Sequence, residues 1–140
     1  MDPAVLDTDI LSEVLKGKNP HVLSHAQAYL VSHGRLTITC VSVLEIVSGW
    51  HRLQREDRVQ EFLGYLPDFE VLPFDAETAV QAGRIEGDLA RLGRKVGRAD
   101  SMIAAIAAVK RLPLVTGNTE HYARVRDLGV SLVLADWRKA

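Results

Sequence analysis

Two hydrophobic rhythms alternate along the chain. The first is the short, continuous apolar run: Ala4-Val5-Leu6 stops abruptly at Asp7-Thr8-Asp9. Leu36 to Val41, Val71-Leu72 with Phe74, Leu112 to Thr116 and Leu132 to Leu134 have the same character. Being brief and rich in branched side chains, they predict buried β-strands. Between them the apolar positions recur every three or four residues. Leu23, Ala26 and Leu30 follow this spacing, as do Val43, Ile46, Trp50 and Leu53. Ala82, Ile85, Leu89 and Leu92 repeat it, with Arg84, Glu86, Asp88 and Arg91 on the opposite face, which predicts amphipathic helices. Met102 to Val109 is apolar all round and alanine-rich, predicting a helix pressed against a sheet.

The predicted order is strand, helices, strand, helices, strand, helix, helix, strand, helix, strand. Strands joined by helical crossovers imply an α/β fold with a parallel sheet covered on both faces. Such sheets place their sites beyond the carboxyl ends of the strands. The length of 140 residues predicts one domain, 1–140, and no repeat, low-complexity stretch or linker interrupts it. The one conspicuous irregular piece is the basic loop Gly93 to Arg98.

Composition narrows the picture only at a few points. Lys and Arg number 17 against 18 Asp and Glu, a formal net charge of −1, so a generally cationic nucleic-acid coat is excluded while a local basic patch is not. The single cysteine, Cys40, excludes an intramolecular disulfide framework and a four-thiolate zinc site. Asp2 and Asp7 open the chain instead of a basic run followed by an apolar stretch. Met102 to Val109 is far shorter than the roughly 20 residues of a spanning helix. The expectation is a soluble, cytoplasmic protein without membrane contact.

Four polar positions carry candidate chemistry, and each has a local explanation. Asp7 follows a strand and suits a helix cap, as does Asp9. Ser42-Val43-Leu44-Glu45 has the capping-box pattern. Asp100 falls in the first turn of a helix, where the dipole favours negative charge by about 0.3–1 kcal/mol. Asn118 ends a strand and suits a cap of the next helix. Capping leaves unexplained why all four fall where a parallel sheet gathers its carboxyl edge. Three carboxylates brought together without a counter-ion repel. A divalent ion such as Mg²⁺, bound by carboxylate oxygens and keeping several waters, resolves this. Gly49, one turn after Glu45, leaves room beside that carboxylate.

The residues also carry a resemblance. Val5-Leu6-Asp7-Thr8-Asp9-Ile10-Leu11 resembles the opening of a PIN domain, and in particular of the VapC toxins of type II toxin–antitoxin systems. Ser42 to Glu45 with Gly49, Gly93 to Gly97, and Asp100 with Ile103-Ala104-Ala105 follow in order. Val115 to Tyr122 and Asp136-Trp137 close a similarity that runs nearly end to end. It implies a PIN-like three-layer α/β/α sandwich with a central parallel sheet. It also implies a Mg²⁺- or Mn²⁺-dependent endoribonuclease that cuts RNA to inhibit translation, forms homodimers, and is silenced by a cognate VapB-like antitoxin in a heteromeric complex. On this resemblance Asp7, Glu45 and Asp100 are the metal-binding and catalytic acids. Asn118 takes a fourth catalytic position that is Asp in many PIN domains, and an amide oxygen holds a hard cation less strongly. Glu120 is near enough in sequence to compensate. Thr8 and Thr116 resemble hydroxyls that orient waters or ligands.

Arg94, Lys95 and Arg98 precede Asp100 and are expected to meet RNA phosphates. His21 and His25, spaced i,i+4, lack the third ligand of a zinc motif and read as a surface helix. Other readings remain open at this point. Asp7-x-Asp9 after a strand also suits a haloacid dehalogenase-like phosphatase, with Asp7 as covalent nucleophile. A receiver-like signalling module, or a PIN module that binds without catalysis, shares the length and the alternation.

Overall fold

Each short apolar run forms a strand, and after each of the first three strands a polar side chain takes up a free amide of the helix that follows. The structure, a computed structural model, describes residues Met1–Ala140. Strand β1 (Val5–Leu6) stops at Asp7, whose carboxylate accepts a bond from Thr8 N at 2.8 Å and starts α1 (Thr8–Lys16). Asn19 caps α2 (Pro20–His33), which opens on a proline. Strand β2 (Leu36–Thr39) is buried throughout and gives way to α3 (Cys40–Arg52). The sequence predicts a strand as far as Val41, but Thr39 Oγ1 accepts from Ser42 N at 3.1 Å and turns Cys40 and Val41 into the first turn of α3.

Helix α4 (Glu56–Tyr65) and a 3₁₀ turn (Leu66–Asp68) lead to β3 (Phe69–Leu72). Asp75 caps α5 (Ala76–Arg91), and Gly97 precedes α6 (Arg98–Lys110). Strand β4 (Leu114–Val115), α7 (Thr119–Arg126) and β5 (Leu134–Ala135) complete the chain. The order of strands and helices is the predicted one. Each β5 residue lies two places or less from its predicted run.

Every strand pairing is parallel. Strand β4 sits between β1 and β5, β2 pairs with β3, and β2 runs beside β1. Hydrogen bonding joins β1-β4-β5 and β2-β3 as two ladders, and side by side they give the order β3-β2-β1-β4-β5, so the direction of winding reverses between β1 and β4. A crevice opens outside the carboxyl ends of the strands at such a switch point.

Alternation along the strands divides the core in two. Val5 and Leu114 face one side with Ile85, Leu89, Ile103, Ile106 and Val125. Leu6 and Val115 face the other with Ile10, Leu11, Tyr29, Ile38 and Trp137. Helices thus cover both faces, giving three layers. Burying each of the large aliphatic side chains contributes about 1.5–3 kcal/mol. Ala104, Ala105 and Ala107 are fully buried, and their small side chains let α6 lie close on the sheet. Cys40 is half-buried against the first cluster. His25 stacks on Trp137, with ring centroids 5.7 Å apart, and meets the Lys139 carbonyl, so it ties the C-terminal tail to α2. No helix is long and apolar enough to cross a membrane.

Candidate active site at the carboxyl edge

Asp7 stands at the switch point, directly after the central strand, and only 4% of its surface is exposed. Its Oδ1 accepts from Thr8 N at 2.8 Å, and its Oδ2 accepts from the Thr116 hydroxyl, also at 2.8 Å. Thr116 follows β4, so β1 and β4 present this pair together. The Tyr122 hydroxyl, from α7, lies 3.1 Å from Asp7 Oδ1 and 3.1 Å from Asp100 Oδ1. Asp100 belongs to the first turn of α6. Two carboxylates from opposite ends of the chain therefore share one phenol.

That arrangement has an electrostatic consequence. Burial, the charge of Asp9 and the charge of Asp100 push the Asp7 carboxyl up to about 7, against the pull of its Thr116 and Thr8 bonds. Burial likewise raises Asp100, opposed by the Tyr122 hydrogen bond and by His121, whose Nδ1 is 3.1 Å from Asp100 Oδ2. Burial and the two neighbouring carboxylates keep the Tyr122 phenol protonated. It has one proton and faces two carboxylates, so it donates to one at a time. The second contact is satisfied when a carboxyl proton is present, which burial of Asp7 favours.

Glu45 reaches this pair through one intermediary. The Thr8 hydroxyl donates to Glu45 Oε1 at 2.6 Å and lies 2.8 Å from the Ser42 hydroxyl. The capping box expected of Ser42 and Glu45 is absent, because Thr39 is the cap and Ser42 falls inside the first turn of α3. Asp9 is a further acid at the edge, which local reading reduces to a cap. Its Oδ1 does accept from Ile10 N at 2.7 Å, but its Oδ2 accepts from Gly117 N at 2.8 Å and fastens the loop after β4.

The remaining predicted residues are distributed unevenly. Asn118 begins α7, yet its side chain does not cap that helix; it lines a groove beside the carboxylates together with Glu120. Arg94 pairs with Asp127 at 3.1 Å and Arg98 with Glu86 at 2.8 Å, both away from Asp7. The Lys95 carbonyl accepts from Arg124. Gly49 borders open space. Asp9 and Tyr122 are the residues that sequence reasoning missed. The one hint of Tyr122 in the sequence is its place at the end of the Val115 to Tyr122 segment.

The donor set fits a hard divalent cation. It offers carboxylate oxygens, one of them buried beside like charges, with no Lys or Arg bonded to Asp7, Glu45 or Asp100. Three acidic or histidine groups do not converge on one point as the side chains stand. Mg²⁺ is commonly held by one or two carboxylates plus waters, and Asp7 with Asp100 supplies such a pair.

A family model for the PIN domain matches residues 4–128. The chain is 34% identical over 125 residues to the tRNA(fMet)-specific endonuclease VapC of Shigella flexneri, covering 89% of this chain and 92% of that protein. The chain belongs to the PIN-domain family. Within it the similarity is to VapC proteins, including Ribonuclease VapC2 of Haemophilus influenzae, 27% identical over 86% of this chain and 90% of the other. The PIN fold superposes on DNA-bound VapBC from Salmonella typhimurium with a TM-score of 0.80 and 28% identity, over 98% of this chain and 99% of that one. In this PIN domain the matched region contains Asp7, Glu45, Asp100 and Asn118, and stops short of the Asp136-Trp137 tail.

Proposed function

We propose that this chain, acting as one PIN unit over residues 1–140, is a metal-dependent endoribonuclease toxin held in check by a VapB-like antitoxin. The observation that carries the reading is the carboxylate pair of buried Asp7 and half-buried Asp100 at the switch point, joined by Tyr122 and bonded to no Lys or Arg. The S. flexneri relative is named as an endonuclease specific for tRNA(fMet), which makes initiator tRNA the first substrate to test. The S. typhimurium neighbour is a DNA-bound VapBC, and VapBC-5 of Mycobacterium tuberculosis is a member of the VapBC family of toxin–antitoxin systems, which supports a heteromeric assembly with an antitoxin. A homodimer is part of the same proposal.

Asp7 and Asp100 would hold Mg²⁺ or Mn²⁺, with Glu45 reaching it directly or through water. When bound, such an ion neutralises charge on the scissile phosphate and makes water acidic enough to attack it in line. The residues of the chain prepare that chemistry. Tyr122 fixes the Oδ1 atoms of Asp7 and Asp100 on either side of its hydroxyl. Thr116 and Thr8 N hold Asp7 in one rotamer, and Thr8 Oγ1 turns Glu45 toward the same edge. Asp7, whose carboxyl is raised by burial, would have to be deprotonated to hold such an ion. His121, bonded to Asp100, links the carboxylate edge to the groove.

The phosphatase reading predicts an aspartyl-phosphate on Asp7, whereas the PIN-domain match over residues 4–128 and the nuclease relatives favour hydrolysis of RNA. The test is incubation of the purified chain with initiator tRNA and Mg²⁺ or Mn²⁺. Discrete cleavage that chelator and Asp100→Asn both abolish is expected. Intact tRNA under every metal condition, or cleavage indifferent to chelator, would overturn the proposal.

A further inference from the structure

The acidic edge leaves a question about how a polyanion approaches it, and the answer lies on the C-terminal tail. An open groove of about 400 Å³ adjoins the carboxylates and contains no apolar side chain. Arg124, Arg138, Lys139 and His121 line it, against the acids Glu120 and Asp136. His121 joins the groove to Asp100. Arg138 joins it to the other side of the edge: its Nη2 donates to the Gly117 carbonyl at 2.8 Å, and Gly117 N in turn donates to Asp9.

The Arg138 guanidinium is oriented before any ligand arrives. Its Nε and Nη2 donate to the two oxygens of Asp136, each at 3.2 Å, and the Arg138 amide also donates to Asp136. The Asp136 side chain is itself buried and so gives a fixed anchor. The guanidinium lies flat against Gly117, where an added Cβ would collide with its carbon. Glycine at this position is thus what admits the side chain. Nη1 makes no hydrogen bond within the protein, and nearly half of the side chain remains exposed. A planar fork locked on one side and free on the other is suited to a phosphate, where less side-chain freedom remains to be lost on binding. The arginines of the basic loop lack this design. Arg94 and Arg98 spend their donors on Asp127 and Glu86.

We propose that Arg138, docked on Gly117 and Asp136, binds a backbone phosphate of the RNA flanking the one presented to Asp7 and Asp100, with Arg124 and Lys139 extending the track. The proposal rests on the ribonuclease reading and makes Arg138 a substrate-positioning residue.

The test measures binding of a fluorescent RNA oligonucleotide in chelator, where no cleavage occurs, across a salt series. Arg138→Ala is compared with Arg138→Lys and with Arg91→Ala, which removes an equal charge from the distant Arg91–Asp88 pair. Arg138→Ala should weaken binding about five- to tenfold and lower the salt slope by about 0.7. Arg138→Lys should keep the slope and lose part of the affinity, because it keeps the charge without the fork. Arg91→Ala should bind as wild type. Melting curves of the same samples separate a lost contact from a lost fold. Equal binding by Arg138→Ala and Arg91→Ala, or a deficit matched by unfolding and absent in Arg138→Lys at full slope and affinity, overturns the assignment. If wild type cleaves RNA while Arg138→Ala binds normally, this inference falls alone. If wild type neither binds nor cleaves RNA, the ribonuclease reading falls with it.

Discussion

The Thr8 hydroxyl donates to Glu45 across 37 residues of sequence at 2.6 Å, the shortest side-chain hydrogen bond at the carboxyl edge. It sets the direction of an acid that would otherwise be a mobile side chain on the first turns of α3. Thr8→Val keeps the shape of the side chain and removes the donor. Cleavage should fall about 10–100-fold, the usual cost of losing a group that orients a metal-site ligand. Thr8→Ser should stay within a few-fold of wild type. Initial rates with labelled tRNA check both.

Tyr122→Phe removes the phenol shared by Asp7 and Asp100 while filling the same space. In chelator at pH 8 the variant should lose about 1–3 kcal/mol, because buried Asp7 and half-buried Asp100 then face each other without the phenol between them. Saturating Mg²⁺ should return much of that loss. Urea denaturation with and without Mg²⁺ measures the difference, and equal losses in both conditions would make Tyr122 a packing residue only.

Asp7 couples stability to pH. Its carboxyl lies near 3.8 ordinarily and at about 7 in the fold, so the native state holds the extra proton between those values. By linkage, stability without divalent ions should be highest on the acid side of that window. It should decline as pH rises from about 4 to 7 and level off above it. Mg²⁺ should flatten the decline. Melting temperatures in chelator over this range test the sign.

Asp7→Asn follows from the same shift. At pH 8 without metal it removes a buried negative charge and should stabilise the protein by about 1–3 kcal/mol. It should also abolish cleavage. A more stable but inactive variant is the signature of a residue placed for function at a cost to folding. Denaturant midpoints and tRNA cleavage, measured on one preparation, decide it.

The parts of this account that the sequence disclosed are those with local causes. Val5-Leu6 and Leu114-Val115 are short branched runs, and Met102–Val109 is apolar all round, so strand and helix order could be read directly. Position at the carboxyl edge followed from the order alone. What the sequence concealed is the wiring between side chains. Tyr122 meets Asp7 across 115 residues and Thr116 meets it across 109, distances at which no spacing rule operates. Ser42 and Glu45 imitate a capping box, but Thr39 one turn earlier takes the cap. Arg94 and Arg98 look like free cations in a basic loop, and only folding shows the Asp127 and Glu86 carboxylates that engage them.

In the proposed enzyme Asp7 and Asp100 together hold one divalent ion. Calorimetric titration of Mn²⁺ into the RNA-free protein near pH 7, repeated in buffers of different ionisation enthalpy, tests it most directly. One site, accompanied by proton release and lost in both Asp7→Asn and Asp100→Asn, is the predicted result. Mn²⁺ bound equally well by wild type and both variants would contradict it.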